Sequence, residues 1–136
     1  MEEITNYTLD ACALIAYLQE EEGAEKVKTI LKNPSNLILM HAINFGEVYY
    51  DALKVSKNKA NHLFMIIEKL PIKIIWNIDK QLIEHAGSFK VDFKMSYADS
   101  FVLSTAKINN AHVVSSDHHE FDTVEQNTNL RFHWIR

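Results

Sequence analysis

The sequence is poor in the residues that cross-link, bend or interrupt a chain. Among its 136 residues it has one cysteine, three glycines and two prolines. A single cysteine, Cys12, excludes an internal disulfide and a zinc site built from several thiolates. The glycines and prolines are scattered singly, so there is no flexible linker, low-complexity segment or internal repeat. These absences predict a single domain that spans residues 1–136.

Long apolar runs and a cationic excess are also missing. The longest uninterrupted apolar run, residues 11–18, is far too short to cross a bilayer. The first four residues, Met-Glu-Glu-Ile, are acidic and do not fit the positive end of a signal peptide. The 14 basic and 18 acidic residues give a net charge of −4, which disfavours general electrostatic binding to nucleic acid. The sequence therefore predicts a cytoplasmic protein with no membrane partner.

The chain does contain regularly alternating helical and strand patterns. Its composition, 47% apolar and 24% charged, is that of an ordinary globular domain. Short apolar runs predict strands at residues 4–9, 37–40, 72–76, 112–115 and 132–135. Helical spacing predicts helices at residues 11–22, 24–31, 43–55, 59–70, 79–89 and 96–109. Strands separated by helices predict an α/β fold, a three-layer α/β/α sandwich around a mainly parallel sheet.

Four acidic residues fall where an active site is expected in such a fold. Asp10 and Asp117 directly follow the first and fourth predicted strands. Asp99 lies in the first turn of a predicted helix, and Glu47 lies in the first turn or two of the helix after the second strand. In open α/β sheets, ligands bind beyond the carboxyl ends of the strands. We therefore expect the four carboxylates to converge on this edge.

Each acid also has a simpler structural explanation. Ser96-x-x-Asp99 and Asn44-x-x-Glu47 have the form of helix capping boxes, and the two strand-end aspartates could be turn residues. These explanations do not account for the four acids gathering at one edge, where two bare carboxylates about 4 Å apart repel by roughly 1–4 kcal/mol. A hard divalent cation such as Mg²⁺ or Mn²⁺ would neutralise them and would suit phosphodiester hydrolysis.

Four sequence segments resemble the motifs of PIN-domain ribonucleases, specifically the VapC-like toxins. The segments are DACALIAYL at residues 10–18, NFGEVYY at 44–50, SYADSFV at 96–102 and VVSSDHHEFD at 113–122. These segments are spread over essentially the whole chain, and they occur in the family's order and spacing. One departure stands out, because Cys12 lies where the family commonly has Ser or Thr.

The resemblance implies a function and a set of site residues. The implied activity is hydrolysis of RNA by an acidic pocket, formed by Asp10, Glu47, Asp99 and Asp117, that holds Mg²⁺ or Mn²⁺. It also implies a homodimer and a cognate antitoxin. Four further residues could orient a ligand or contact substrate around the pocket. They are Asn44, Ser96, Ser116 and Asp122.

Other interpretations remain beside this one. A PIN-like domain could be catalytically silent and serve as an RNA-binding or scaffold protein, or it could cleave DNA. Cys12 is interpreted as a buried structural thiol rather than a nucleophile. His118 and His119 are interpreted as exposed loop residues.

Aromatic and basic residues near the second motif have a similarly plain interpretation. The aromatic residues there, such as Tyr50, are predicted to be core or dimer contacts rather than base-stacking groups. The lysines that follow, Lys54, Lys57 and Lys59, are expected to form a solvated face.

Overall fold

A computed structural model describes residues 4–136, so the acidic Met1–Glu3 segment lies outside the described residues. The strands are β1 (Thr5–Leu9), β2 (Asn36–His41), β3 (Lys73–Ile75), β4 (His112–Ser115) and β5 (Phe132–Trp134). The helices are α1 (Ala11–Leu18), α2 (Ala24–Lys32), α3 (Ala42–Leu53), α4 (Lys57–Lys69), α5 (Lys80–Asp92), α6 (Tyr97–Asn109) and α7 (His118–Asn127). None of these helices combines the length and the apolar character needed to cross a membrane.

The five strands form one parallel sheet in the order β3-β2-β1-β4-β5. The chain moves outward from β1 to β2 and β3, and then returns to place β4 on the other side of β1. This reversal creates a switch point between β1 and β4, where the register pairs Leu9 with Val114. Ligands bind at such points because the flanking connections leave the sheet on opposite faces.

Two hydrophobic clusters cover the two faces of the sheet and confirm the predicted three-layer α/β/α architecture. One cluster contains buried residues of α1 to α4, and the other contains buried residues of α5 to α7. The inner strand β4 contributes to both clusters, because Val113 packs into the second and Val114 into the first. Both valines are fully buried, as expected for a strand covered on both sides.

Two sequence predictions require correction. The first predicted helix, residues 11–22, ends at Leu18. Beyond it the backbone turns through positive φ at Glu20 (55°) and Gly23 (97°), which no helix can continue through. At Gly23 a Cβ atom would lie 2.7 Å from the carbonyl oxygen of Ile135, so this close approach of two chain segments requires glycine.

The second correction is a helix that the sequence prediction did not contain. Residues 118–127 were predicted to belong to a direct connection between the last two strands, but they form α7. Two side chains anchor this helix, because Phe121 and Val124 are completely buried in the second cluster. Their i, i+3 spacing is a weak helical signal that the surrounding polar residues conceal.

We predict that the packing of α7 contributes strongly to stability. Phe121→Ala should lower the free energy of unfolding by about 3–5 kcal/mol, because it removes a fully buried aromatic ring and leaves a cavity. Urea unfolding followed by circular dichroism measures this change. The matched control is His119→Ala on the exposed side of the same helix, which should change stability by no more than about 0.5 kcal/mol. Equal stability of the two variants would show that α7 is not anchored through Phe121.

Candidate functional site

A cleft of about 240 Å³ lies at the carboxyl end of the sheet, at the switch point. It is lined by all four acids that the sequence analysis singled out: Asp10, Glu47, Asp99 and Asp117. The remaining lining residues are Ala11, Cys12, Ile15, Tyr50, Asp51 and Lys54. Because the four acids come from four separate segments of the chain, the fold rather than local sequence brings them together.

Asp10 is the most buried of these acids, with 4% of its surface exposed. It directly follows β1 and is the N-cap of α1, where its Oδ1 accepts a hydrogen bond from the Ala13 amide at 2.8 Å. The Cys12 thiol and the Ser115 hydroxyl also donate to this carboxylate. Burial nevertheless raises the pKa of Asp10 from 3.8 to about 6, because these hydrogen bonds only partly replace water around the charge.

Ser115 connects the two central strands at this point. Its hydroxyl donates to Asp10 Oδ2 and accepts a hydrogen bond from the Asp117 amide at 2.9 Å. The side chain is fully buried at the end of β4. Ser115 therefore fixes the relative positions of Asp10 and Asp117, and the sequence analysis did not single it out. The available signal was a hydroxyl residue ending an otherwise apolar buried strand, where a polar group needs a partner.

Glu47 enters the cleft from α3 and is held by a buried amide. Asn44, one turn earlier, donates from Nδ2 to Glu47 Oε1 at 3.4 Å and to the Ala98 carbonyl at 2.9 Å. The second bond ties α3 to the first turn of α6, next to Asp99. Partial burial raises the pKa of Glu47, and the hydrogen bond from Asn44 opposes this effect.

Asp99 lies in the first turn of α6. Ser96 caps this helix, because its Oγ accepts a hydrogen bond from the Asp99 amide at 3.1 Å. The pKa of Asp99 is raised from 3.8 to about 6, chiefly by burial. The charges of Glu47, Asp117 and Glu120 raise it further, so these groups face Asp99 closely enough to repel it. Glu120 belongs to the unpredicted helix α7, which is why the sequence analysis did not count it among the acids near the cleft.

The capping explanation is wrong for Asn44 and Glu47, because α3 begins at Ala42 with His41 as its N-cap. Capping does hold at the other segments, alongside the clustering. Asp10 caps α1, Asp117 caps α7 through the Glu120 amide, and Ser96 caps α6. Capping accounts for the local position of each residue, but it does not account for a site where carboxylates desolvate and repel one another. Capping therefore explains the local conformation of these residues, and the tertiary fold explains why they lie in one cleft.

Two additional charged residues in the cleft were not assigned to it from the sequence. Asp51 lies one turn after Glu47 on the same face of α3, a placement that i, i+4 spacing predicts. Lys54 follows at the end of that helix and forms an ion pair with Asp51 at 3.6 Å. The cleft thus has an acidic interior and a cationic group beside it.

The donor set has the chemistry of a site for a hard cation. Carboxylate oxygens are the ligands that Mg²⁺ and Mn²⁺ prefer. Burial raises the pKa of Asp10 and Asp99, so a cation bound beside them would favour their charged forms. Within residues 4–136, no three His, Cys, Asp or Glu side chains are placed so that they could hold one ion together. Mg²⁺ typically uses one or two carboxylates and completes its shell with waters and substrate phosphate, so the residues present fit such an ion.

Cys12 does not have the properties of a nucleophile. Burial and the neighbouring Asp10 carboxylate raise the pKa of its thiol to about 12, so the thiolate is scarce at neutral pH. The sulfur lies 3.0 and 3.1 Å from the two Asp10 oxygens and 3.3 Å from Ser116 Oγ. The thiol therefore supplies a polar contact to the acid at this position.

Asp122 is not among the residues that line the cleft. Its Oδ1 accepts a hydrogen bond from His118 Nδ1 at 2.8 Å, while His118 Nε2 donates to the Arg136 carbonyl. The His118 ring also stacks on Trp134, with 3.8 Å between ring centroids. His118 is exposed as expected, but it lies in a helix rather than a loop.

Comparison with known proteins agrees with this arrangement. The model of the PIN domain family matches residues 7–127. The chain belongs to the PIN domain family. A comparison with curated protein sequences finds no match. The sequence-based assignment to PIN domains is therefore confirmed by the family model and by fold.

Solved structures with the same PIN fold come from several bacteria at low sequence identity. VapBC-1 from nontypeable Haemophilus influenzae has a TM-score of 0.71 and 18% identity, covering 96% of this chain and 98% of its own. A toxin–antitoxin complex from Klebsiella pneumoniae has a TM-score of 0.69 and 18% identity, covering 85% and 89%. VapC20 from Mycobacterium tuberculosis, a sarcin-ricin loop cleaving toxin, has a TM-score of 0.61 and 13% identity, covering 79% and 86%.

We predict that the acidic cleft of this PIN domain destabilises the metal-free fold at neutral pH. A carboxyl whose pKa is raised on folding keeps its proton in the native state while the unfolded chain has lost it. The contribution of Asp99 to stability therefore falls as pH rises from about 4 to about 6. Asp99→Asn should raise the melting temperature in chelator at pH 7.5 by roughly 3–8 °C, equivalent to about 1–2 kcal/mol.

The control for this measurement is Asp92→Asn, an exposed aspartate of α5 outside the cleft, which should leave the melting temperature unchanged. The difference between Asp99→Asn and the parent should vanish near pH 4, where the parent carboxyl is also neutral. A lower melting temperature for Asp99→Asn at pH 7.5 would contradict the proposed repulsion.

Proposed function

We propose that this protein is a Mg²⁺- or Mn²⁺-dependent endoribonuclease that hydrolyses RNA phosphodiester bonds with water as the nucleophile. The observation that carries the proposal is the meeting of Asp10, Glu47, Asp99 and Asp117 in one cleft at the switch point of the sheet. In this proposal the whole chain, residues 1–136, forms one nuclease domain.

Asp10, Glu47, Asp99 and Asp117 would hold the divalent ion, one or two of them directly and the others through bound water. When bound, such an ion supplies a water of lowered pKa and stabilises negative charge on the phosphate. Asp10 is oriented for this role by three donors, the Ala13 amide, the Cys12 thiol and the Ser115 hydroxyl. These bonds hold the carboxylate in one position at the end of β1, which a binding site for a small cation requires.

Protonation sets the pH range in which the site can work. With pKa values raised to about 6, Asp10 and Asp99 carry a proton in acid and expose their oxygens as ligands only after losing it. Cation binding would therefore compete with protons and strengthen as pH rises through 6. The absence of a histidine among the residues that line the cleft is consistent with a reaction in which no imidazole base is needed.

The surrounding polar residues would position the four acids and the substrate. Asn44 orients Glu47 through its amide, and Ser96 orients Asp99 through the first turn of α6. Ser116 contacts the Cys12 thiol next to Asp10. Asp122 acts indirectly in this proposal, because its bond to His118 stabilises the first turn of α7, which Asp117 caps.

We further propose that the nuclease is the toxin of a toxin–antitoxin pair, acting in the cytoplasm as a homodimer with a cognate antitoxin partner. Structures of the same fold include toxin–antitoxin complexes from Klebsiella pneumoniae and Haemophilus influenzae, which supports this role. Controlled expression of the chain in a bacterial host should arrest growth, and Asp10→Asn should relieve the arrest. Growth arrest of equal strength with Asp10→Asn would contradict the toxin role.

The first biochemical prediction concerns the acids themselves. Asp10→Asn and Asp99→Asn should each lower RNA cleavage in Mn²⁺ by at least 100-fold, about 2.7 kcal/mol of transition-state stabilisation, because each removes a charged ligand. Cleavage of a fluorophore–quencher RNA measures the rate. Asp92→Asn is the matched control and should retain the parent rate.

The result that would contradict this mechanism is full activity in both active-site variants, with native circular dichroism spectra. RNA binding by the parent chain without cleavage in either metal would instead favour a catalytically silent RNA-binding or scaffold protein. Cleavage of single-stranded DNA at the same rate as RNA would assign a broader nuclease.

Metal linkage gives a prediction that does not depend on activity. Mg²⁺ or Mn²⁺ should raise the melting temperature of the parent at pH 7.5, because an ion that binds only the native state stabilises it by mass action, about 2.7 kcal/mol at 100 times Kd. Asp10→Asn should abolish most of this rise. The same rise in Asp10→Asn as in the parent would indicate that the ion binds elsewhere.

A further inference from the structure

Two residues of α3 place an aromatic ring and a positive charge in the acidic cleft. Tyr50 lies three residues after Glu47, about 4.5 Å further along the helix axis, and Lys54 follows one turn later. Both line the cleft together with the four acids. Neither side chain is among the carboxylates proposed to hold a metal ion.

Tyr50 does not pack into the hydrophobic core. Its side chain is 55% exposed, and its ring contact within residues 4–136 is with the Lys54 ammonium, 5.9 Å from the ring centroid. The sequence-based expectation was a core or dimer contact, and this exposure contradicts the core contact for Tyr50. By comparison, the neighbouring Tyr49 is half-buried and packs on Phe64, with 5.5 Å between ring centroids.

Lys54 provides the positive charge of the cleft. Among the residues that line it, the structure shows five acids and one base, and that base is Lys54. Its ion pair with Asp51, at 3.6 Å, joins two side chains that are 70% and 36% exposed. Such an exposed pair contributes little stability and exchanges easily, so the ammonium can transfer to another anion.

We propose that Tyr50 and Lys54 form a nucleotide subsite next to the acids: the Tyr50 ring stacks on an unpaired base while the Lys54 ammonium binds a neighbouring phosphate. The inference rests on the proposed ribonuclease function and names how that site positions its substrate. Aromatic rings bind bases through their faces, and lysine binds phosphate as a point charge. Lys54 is the charged group of the cleft lining that attracts a polyanion, and the Tyr50 ring adds a surface for stacking.

The geometry selects a single-stranded substrate. A base within a duplex is already stacked on both faces, whereas an unpaired base offers a free face to the exposed Tyr50 ring. Because stacking tolerates every base, the subsite positions RNA without reading its sequence. Sequence preference would have to come from other contacts.

Binding is tested in the Asp10→Asn background, which prevents cleavage during the measurement. The probe is a short single-stranded RNA with 2-aminopurine at successive positions, titrated in Mg²⁺. Stacking on Tyr50 should quench one position. Tyr50→Leu should remove that quench and weaken binding roughly tenfold or more, whereas Tyr50→Phe should retain both.

The charge is tested separately by salt dependence. Lys54→Gln should reduce the slope of log affinity against log salt concentration by about 1, because one phosphate contact is lost, whereas Lys54→Arg should retain the slope. Lys28→Gln, in the exposed surface of α2, is the matched lysine control. Trp76→Leu is the control for an exposed aromatic ring outside the cleft.

Kinetics on the otherwise unchanged chain give a second readout. Tyr50→Leu and Lys54→Gln should raise KM roughly tenfold with a smaller change in kcat, since both residues bind substrate beside the reacting phosphate rather than at it. Equal binding, quenching and KM in these variants and the parent would overturn the subsite, even if RNA is cleaved normally. If neither the parent nor any variant cleaves RNA but the quenching still depends on Tyr50, the ribonuclease function is overturned and the subsite is supported.

Discussion

The hydrogen-bonded connection between Asp10 and Ser115 is the contact on which the arrangement of the site depends. It joins the end of β1 to the end of β4 and, through the Asp117 amide, sets the start of α7. The same carboxylate caps α1 through the Ala13 amide. One buried acid thus organises two strand ends and two helix starts. Asp10 lies at the switch point of the sheet, in the cleft that Glu47, Asp99 and Asp117 also line.

This arrangement has a thermodynamic consequence. Asp10 and Asp99 both have pKa values raised to about 6 by burial, and the neighbouring acids increase the effect. At neutral pH the fold holds charges that would be better solvated in the unfolded chain. The hydrophobic clusters on the two faces of the sheet offset this cost, with residues such as Leu9 and Val114 fully buried directly beneath the site. Active sites commonly lower the stability of the fold in this way, and the hydrophobic core supplies the stability that tolerates them.

Much of the fold could be predicted from the sequence because its strands and helices have clear periodicity. Val113 and Val114 in a continuous apolar run indicate a strand covered on both faces, and the structure buries them in opposite clusters. Three of the four acids could be named because they follow a strand or lie in the first turn of a helix, and Glu47 could be named because it lies in the second turn of the helix after β2. Helix α7 was missed because its two buried anchors, Phe121 and Val124, lie among polar residues. Its stability comes from tertiary packing, which the local pattern does not reveal.

The residues missed in the cleft share a physical reason. Ser115 acts through its hydrogen bond to Asp10, which lies on a distant segment of the chain. Asp51 acts through its ion pair with Lys54, one turn further along the same helix. Contacts between distant segments cannot be read from spacing alone, whereas the i, i+4 relation of Glu47 and Asp51 could have been.

Cys12 lies at a position where the resemblance to PIN-domain ribonucleases implies Ser or Thr. A serine or threonine there would donate a hydroxyl proton, and in this chain the thiol donates to the Asp10 carboxylate at 3.0 Å. The thiol is a weaker donor, so it stabilises the charged acid less than a hydroxyl would. The Ser115 hydroxyl, on the other side of the same carboxylate, compensates by donating to Oδ2. Asp10 therefore remains oriented by three donors, the Ala13 amide, the Cys12 thiol and the Ser115 hydroxyl. Its pKa nevertheless stays at about 6, because burial outweighs these hydrogen bonds.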